Sequence, residues 1–177
     1  MKDLPSGPKD KFPEELFVLI EISKGSRNKY EFDKELGVLK LDRILHTSMQ
    51  YPANYGFVPS TLCEDKDPLD CLVISSESIS PNTLVSVRPI GLLIMEDEEG
   101  KDEKLIAVPV EKADPKMSSI RDVSDLPEAL KDEIKHFFEH YKELEKGKWV
   151  KVREWISREG AIEYVVNAVK RFKEKKQ

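Results

Sequence analysis

Three aspartates in one short stretch are the residues with the clearest capacity for chemistry. Asp65, Asp67 and Asp70 occur in the segment EDKDPLDC, directly before the apolar run that begins at Cys71. In an extended segment Asp65 and Asp67 point to the same side, and Pro68 turns the chain so that Asp70 can return to them. Convergent carboxylates without a nearby arginine need cations, and oxygen ligands favour Mg²⁺ or Mn²⁺. The alternative is an exposed acidic turn, and this stretch alone leaves both open.

A second acidic group surrounds a turn further along the chain. The run EDEE at 96–99 is followed by Asp102 and Glu103. By itself it is typical of a solvated hairpin tip. Two acidic groups on separate loops can, however, share several divalent cations, and sites of this kind act on phosphoryl groups.

Such a site also needs positive charge for phosphate. Lys29 and Glu31 share one face of the segment KYEFD, a mixed-charge row whose plain interpretation is a solvent-exposed face. Arg43 lies in an otherwise apolar strand, and arginine is suited to bidentate phosphate binding. Tyr51 and Tyr55 lie in a segment bounded by proline and glycine, which we predict to be a loop. Their rings belong either to the core or to a phosphate site.

Strands precede helices in the hydrophobic pattern. Residues 17–110 contain apolar and alternating runs that predict strands, with hairpin turns at 35–37 and 99–100. After Pro115 the period becomes helical, and we predict one helix over 124–147 and a second over roughly 159–173. This order predicts an α+β fold: a small antiparallel barrel or sheet with helices packed on it. The predicted apolar faces of the two helices are Ile134, Phe137, Phe138, Tyr141 and Leu144, and Ile162, Val165, Val166, Val169 and Phe172.

Composition excludes several classes of protein. The chain has 177 residues and a net charge of -5, so it lacks the basic footprint of a nucleic-acid-binding protein. Its apolar runs are too short to span a membrane, and its first 15 residues lack the apolar core of a signal peptide. Cys63 and Cys71 match no zinc or redox spacing. We therefore expect one cytoplasmic domain with reduced thiols.

Two other functions remain as alternatives. The run HFFEH fits the H-x-x-E-H pattern of inverted zinc peptidases, with His136 and His140 as ligands and Glu139 as base. At 100° per residue, however, these three side chains lie opposite the predicted apolar face of the helix. A non-enzymatic OB-fold module that binds single-stranded nucleic acid is the other alternative, and the acidic loops oppose it.

Taken in order, several motifs resemble the soluble inorganic pyrophosphatases of family I. These motifs are KYE at 29–31, DR at 42–43, YPANYG at 51–56, DKDPLDC at 65–71, DEEGKDEK at 97–104 and HFFEHYKELEKGKWVKV at 136–152. The resemblance implies an α+β fold with a five-stranded antiparallel OB-like β-barrel and two flanking C-terminal helices, in one domain over 1–177. It also implies hydrolysis of pyrophosphate with several Mg²⁺ ions, for which Mn²⁺ or Zn²⁺ can substitute, and a homohexamer.

The resemblance further assigns roles by position. Asp67 is the implied general base. The implied metal ligands are Asp65, Asp70, Asp102, Asp97 and Glu31. The implied phosphate-binding residues are Lys29, Arg43, Tyr55, Lys104, Tyr141 and Lys142, and a second line of the pocket comprises Glu21, Tyr51 and Glu98. Lys66 departs from the family pattern, which has a small or short polar residue there, so we expect an unusual backbone angle at Lys66.

Overall fold

The structure, a computed structural model, describes residues 3–177. These residues form eight strands and two α-helices, with short 3-10 turns at Pro115–Met117 and Val123–Asp125. The strands are β1 Leu16–Ile22, β2 Asn28–Asp33, β3 Val38–Ile44, β4 Asn54–Val58, β5 Leu69–Val73, β6 Leu84–Asp97, β7 Gly100–Pro109 and β8 Val150–Ser157. The helices are α1 Glu128–His140 and α2 Arg158–Lys175.

Five of these strands close into a barrel. The ring runs β1, β4, β5, β7 and β6, and it closes because β1 pairs with β6 as well as with β4. Four of the pairings are antiparallel, and β5 pairs with β7 in parallel. Strand β8 extends the sheet beyond β6, and β2 and β3 form a separate hairpin. The predicted α+β class with an OB-like barrel and two flanking helices is confirmed.

Each helix packs an apolar face against the sheet. Helix α1 buries Ile134, Phe137 and Phe138, and α2 buries Val165 and Val169 among others. Burial of one such large apolar side chain contributes about 1.5–3 kcal/mol. The strands also approach closely at Gly56 in β4, where an added Cβ would lie 1.9 Å from the carbonyl oxygen of Leu19 in β1.

Both predicted hairpins are present, but the first helix is shorter than predicted. Helix α1 ends at His140, and the chain then runs through turns in which Glu143 N–H donates to His140 O and Glu145 N–H donates to Lys142 O. Leu144 is 65% exposed, so its assignment to the buried face is wrong. The residues after His140 are mainly charged, so a further helical turn there would bury almost no apolar surface.

Two strands were not predicted. Strand β4 lies where we predicted a loop, and that loop prediction is wrong for residues 54–58. All five of its residues are buried between β1 and β5, so it shows no alternation of polar and apolar side chains. Strand β8 contains an irregularity opposite Ile94 and Met95, which breaks its period of two. Among residues 3–177, no helix is both long and apolar enough to cross a membrane.

Candidate active site

One large cavity brings most of the predicted site residues together. It has a volume of about 670 Å³ and is lined by nine carboxylates and eight basic side chains of the part of the chain that the structure describes. The carboxylates are Glu21, Glu31, Asp65, Asp67, Asp70, Asp97, Glu98, Glu99 and Asp102, and the basic side chains are Lys29, Lys34, Arg43, Lys66, Lys101, Lys104, Lys142 and Lys148. Fourteen of the fifteen predicted residues line this cavity, Tyr55 and Tyr141 included; only Tyr51 lies behind its wall.

A tight loop carries the first aspartates. Cys63 N–H donates to Asp67 O at 2.8 Å, and Lys66 N–H donates to Cys63 O at 3.0 Å. Within the loop, Asp67 N–H donates to Asp65 Oδ1 at 3.0 Å. The predicted unusual backbone angle is confirmed, since Lys66 has φ +72°. This left-handed residue turns the chain between the two aspartates.

The parallel pairing of β5 with β7 places Asp70 beside Lys104. Lys104 is only 5% exposed, and its Nζ donates to Asp70 Oδ2 at 2.7 Å and to the Tyr55 hydroxyl at 2.9 Å. The same Nζ lies 3.0 Å from Asp102 Oδ2. Burial lowers the pKa of Lys104, but Asp70, Tyr55 and Asp102 outweigh burial and hold that pKa well above its ordinary value. Lys104 is therefore a permanent positive charge at the base of the cavity.

The β6–β7 hairpin supplies a second set of charges. Lys142, from the turn after α1, lies 3.2 Å from Asp97 Oδ2 and 3.3 Å from Glu98 Oε1. Tyr141 stacks on Phe137 of α1 with ring centroids 5.0 Å apart. The two contacts of Lys142 hold the hairpin against the end of α1.

The β2–β3 hairpin forms another wall of the cavity. Its register shifts between Lys29 and Tyr30, so that Asp42 of β3 is an extra residue opposite this step. Lys29 Nζ lies 2.8 Å from Glu31 Oε1 and 3.2 Å from Asp42 Oδ2. Arg43 Nε donates to Asp42 Oδ2 at 2.8 Å, so one carboxylate connects two of the basic side chains.

Glu21 and Tyr51 support the cavity from the barrel. The pairing of β1 with β4 shifts register at Glu21, and bulges of this kind re-aim side chains beside functional sites. Glu21 Oε2 accepts a hydrogen bond from Phe32 N–H at 2.7 Å, and burial raises the pKa of Glu21 to about 7. The Tyr51 ring packs 4.7 Å from that of Phe137 and 5.4 Å from that of Tyr55, and burial raises the pKa of its hydroxyl well above the ordinary value.

The carboxylates retain negative potential despite the lysines. Burial, followed by Asp65 and Asp70, raises the pKa of Asp67. Burial and Asp70 also raise the pKa of Asp102, although Lys104 opposes this. Asp70, Asp97 and Asp102 pair with lysines, and in residues 3–177 no three His, Cys, Asp or Glu side chains converge closely enough to hold a metal ion. Oxygen donors on facing walls nevertheless fit hard divalent cations, which relieve this repulsion.

The H-x-x-E-H residues do not form a comparable centre. His136 and His140 have ring centroids 4.6 Å apart, and His140 Nδ1 lies 2.7 Å from Glu143 Oε2. Glu139 instead accepts a hydrogen bond from Val152 N–H of β8 at 3.4 Å. The zinc peptidase is therefore not favoured, and the carboxylates that line the cavity likewise do not favour the nucleic-acid module.

Sequence reasoning missed several residues at or beside the cavity. Lys148 and Glu145 lie in the motif HYKELEKGKWV, and Glu99 and Lys101 lie in the second acidic group. Asp42 is next to Arg43 in sequence. The motifs that contain these residues are visible in the sequence, but their ion pairs join residues far apart in the chain, such as Arg43 and Glu145.

A closed barrel beside a cavity lined by carboxylates, lysines, an arginine and tyrosines is typical of metal-dependent hydrolases that act on phosphoryl groups. The family model for inorganic pyrophosphatase matches residues 18–173. The chain belongs to the inorganic pyrophosphatase family.

Individual relatives agree with this assignment over nearly the whole chain. The chain is 55% identical to the inorganic pyrophosphatase of Aquifex pyrophilus over 172 residues. This match covers 97% of this chain and 96% of that protein. The crystal structure of the inorganic pyrophosphatase from Thermus thermophilus has a TM-score of 0.92 at 51% identity and covers 97% of this chain and 98% of its own. The inorganic pyrophosphatase from Helicobacter pylori has a TM-score of 0.89 at 51% identity, with coverages of 90% and 94%.

Proposed function

We propose that this chain hydrolyses inorganic pyrophosphate to two phosphates by direct attack of water, with Mg²⁺ as its metal. The observation that carries the proposal is the arrangement around Lys104. Its ammonium joins Asp70, Asp102 and Tyr55 at the base of a cavity whose other walls present Lys29 and Arg43. Pyrophosphate is a small, highly charged anion, and it binds where cations and basic side chains together outweigh the carboxylates.

Carboxylates from three walls of the cavity are assigned to the cations. The proposed ligands are Asp65, Asp70, Asp97, Asp102 and Glu31. Bound Mg²⁺ would neutralise these carboxylates, polarise phosphate oxygens and acidify water. Mn²⁺ and Zn²⁺ are proposed substitutes.

Asp67 is the proposed general base. It lines the cavity and its pKa is raised by burial, Asp65 and Asp70, which strengthens it as a proton acceptor once ionised. Direct attack by water needs no protein nucleophile. The two cysteines support this, because burial raises the pKa of Cys63 to about 12 and that of Cys71 well above its ordinary value.

The basic and phenolic side chains are assigned to the anion. Lysine and arginine stabilise the negative charge of the transferring and leaving phosphates. The proposed phosphate-binding residues are Lys29, Arg43, Lys104, Lys142, Tyr55 and Tyr141. Tyr51 and Glu98 are proposed to hold two of these residues in place, through the contacts of Tyr51 with Tyr55 and of Glu98 with Lys142. Glu21 is proposed to hold β2 in place through its hydrogen bond with Phe32.

We also propose that residues 1–177 act as one catalytic domain, in a cytoplasmic homohexamer without nucleic-acid or membrane partners. The family match over 18–173 supports the single domain. Sedimentation of the purified protein tests the hexamer.

Release of phosphate from pyrophosphate tests the proposed activity. We expect turnover with Mg²⁺, and inhibition when Ca²⁺ is added, because Ca²⁺ binds the same oxygens with longer and looser coordination. Asp67→Asn should lose activity, whereas Asp10→Asn, at an exposed position outside the cavity, should retain it. Peptide cleavage with Zn²⁺ and oligonucleotide binding should both be undetectable. Full activity with Ca²⁺ alone, or none with Mg²⁺, contradicts the proposal.

A further inference from the structure

The Arg43 guanidinium is held by carboxylates at two different nitrogens. Asp42 Oδ2 accepts from Nε at 2.8 Å, and Glu145 Oε1 accepts from Nη1. Asp42 is the neighbour of Arg43 on β3, whereas Glu145 lies in the turns after α1. Because the guanidinium is planar, two anchors at separate nitrogens fix the direction of its remaining donors. Arg43 lines the cavity, so those donors are available to an anion there.

The burial of the Glu145 carboxylate is not explained by the stability of the fold. Its side chain is only 9% exposed, yet Oε2 is buried without a hydrogen-bond partner among the residues that the structure describes. Its nearest other cation is Lys148, whose Nζ lies 4.0 Å from Oε1. A buried carboxylate oxygen without a partner destabilises a fold. Stability alone therefore does not account for a carboxylate at this position.

The backbone around Glu145 connects it to the cavity. Glu145 N–H donates to Lys142 O, and Lys148 N–H donates to Glu145 O. Both lysines line the cavity, whereas Glu145 itself does not. The same turns thus place two cavity lysines and set Glu145 behind Arg43.

We propose that Glu145 is a positioning residue, which holds the Arg43 guanidinium in the orientation that binds a phosphate group. This inference rests on the proposed pyrophosphate hydrolysis. Glu145 does not touch the anion, and it acts through Arg43. The contact joins the β2–β3 hairpin to the segment after α1, so it also couples two walls of the cavity.

Replacement of Glu145 by methionine tests the proposal, because it removes the acceptor and keeps a similar side-chain length. We expect KM for pyrophosphate to rise about tenfold, or about 1.4 kcal/mol, with kcat within about twofold of wild type, the pattern of lost uniform binding. The melting temperature should not fall, because the unpaired oxygen is removed as well. Glu143→Met, at the exposed carboxylate two residues earlier, is the matched control and should keep the wild-type KM.

A double-mutant cycle with Arg43 separates positioning from a general structural role. In an Arg43→Lys background the two-point hold is lost, and Glu145→Met should change KM by less than about twofold. Calorimetric titration of inorganic phosphate in MgCl₂ measures binding without turnover. Glu145→Met should weaken phosphate binding in the wild-type background and have little effect in the Arg43→Lys background. Equal effects in both backgrounds, an unchanged KM in Glu145→Met, or a fall in melting temperature without a change in KM overturns the proposal. Failure of the wild type to release phosphate would instead overturn the proposed function.

Discussion

Replacement of Glu21 by glutamine should make the stability of this protein less dependent on pH. Glu21 is buried in the wall of the cavity, and burial raises its pKa from 4.5 to about 7. The folded state therefore favours the protonated form. Glutamine mimics that form, because its amide oxygen can still accept the hydrogen bond from Phe32 N–H.

The sign and size follow from the two pKa values. Because the folded pKa is the higher one, the contribution of Glu21 is fully present below about pH 4.5 and is lost as the pH rises through about 7. One pKa unit corresponds to about 1.4 kcal/mol. Between about pH 5 and pH 8 the wild type should lose about 2–3 kcal/mol of unfolding free energy through this group, and Glu21→Gln should not.

Urea unfolding at both pH values measures this difference. EDTA should be present, because a cation in the cavity would favour the ionised carboxylate and lower the pKa of Glu21. Protein concentration is held constant, so that any oligomer contributes equally. Glu35→Gln, at the exposed tip of the β2–β3 hairpin, is the control and should follow the wild type. A change of less than about 1 kcal/mol in the stability difference between Glu21→Gln and wild type over this pH range would contradict the prediction.

Three further predictions concern other residues. Lys66→Gly should raise the free energy of unfolding in urea by up to about 1 kcal/mol, since φ +72° is strained for lysine; a clear loss of stability would contradict this. Asp67→Asn should lower kcat by roughly 10²–10⁴-fold with little change in Mg²⁺ binding, as expected for a base, whereas Asp70→Asn should weaken Mg²⁺ binding in equilibrium titrations. Equal loss of metal in both variants would make Asp67 a ligand. Replacement of His136 and His140 together by alanine should leave the rate of phosphate release near that of the wild type. A decrease of about tenfold in this rate, or about 1.4 kcal/mol, would show that this face of the helix contributes to turnover.

Local sequence patterns are sufficient to predict most of the strands and both hairpins. Alternation over 28–33 and 38–44 predicts β2 and β3, and the turn at 35–37 falls within the observed connection. The departure of Lys66 from the family pattern likewise predicts an unusual backbone angle, and the observed φ is +72°. Each of these features depends on neighbours within a few positions, which is the range over which side-chain periodicity and turn chemistry act.

Tertiary structure decided the features that depend on distant neighbours. Strand β4 is buried between β1 and β5 and has no alternation to reveal it. The end of α1 at His140 is set by the absence of apolar surface to cover beyond it. The predictions for both elements are wrong because burial against distant parts of the chain, present at β4 and lacking after His140, overrides local propensity.

The same distinction applies to the candidate site. The spacing of Asp65, Asp67 and Asp70 predicts convergent carboxylates, and by itself it leaves open whether they bind cations or form an exposed acidic turn. Only the parallel pairing of β5 with β7 sets Asp70 beside Lys104, and only the turns after α1 bring Glu145 to Arg43 across 102 positions of sequence. Sequence determines which charges are available, because side-chain chemistry is local. Folding decides which charges meet and how deeply they are buried, because pairing and desolvation depend on residues that are remote in the chain.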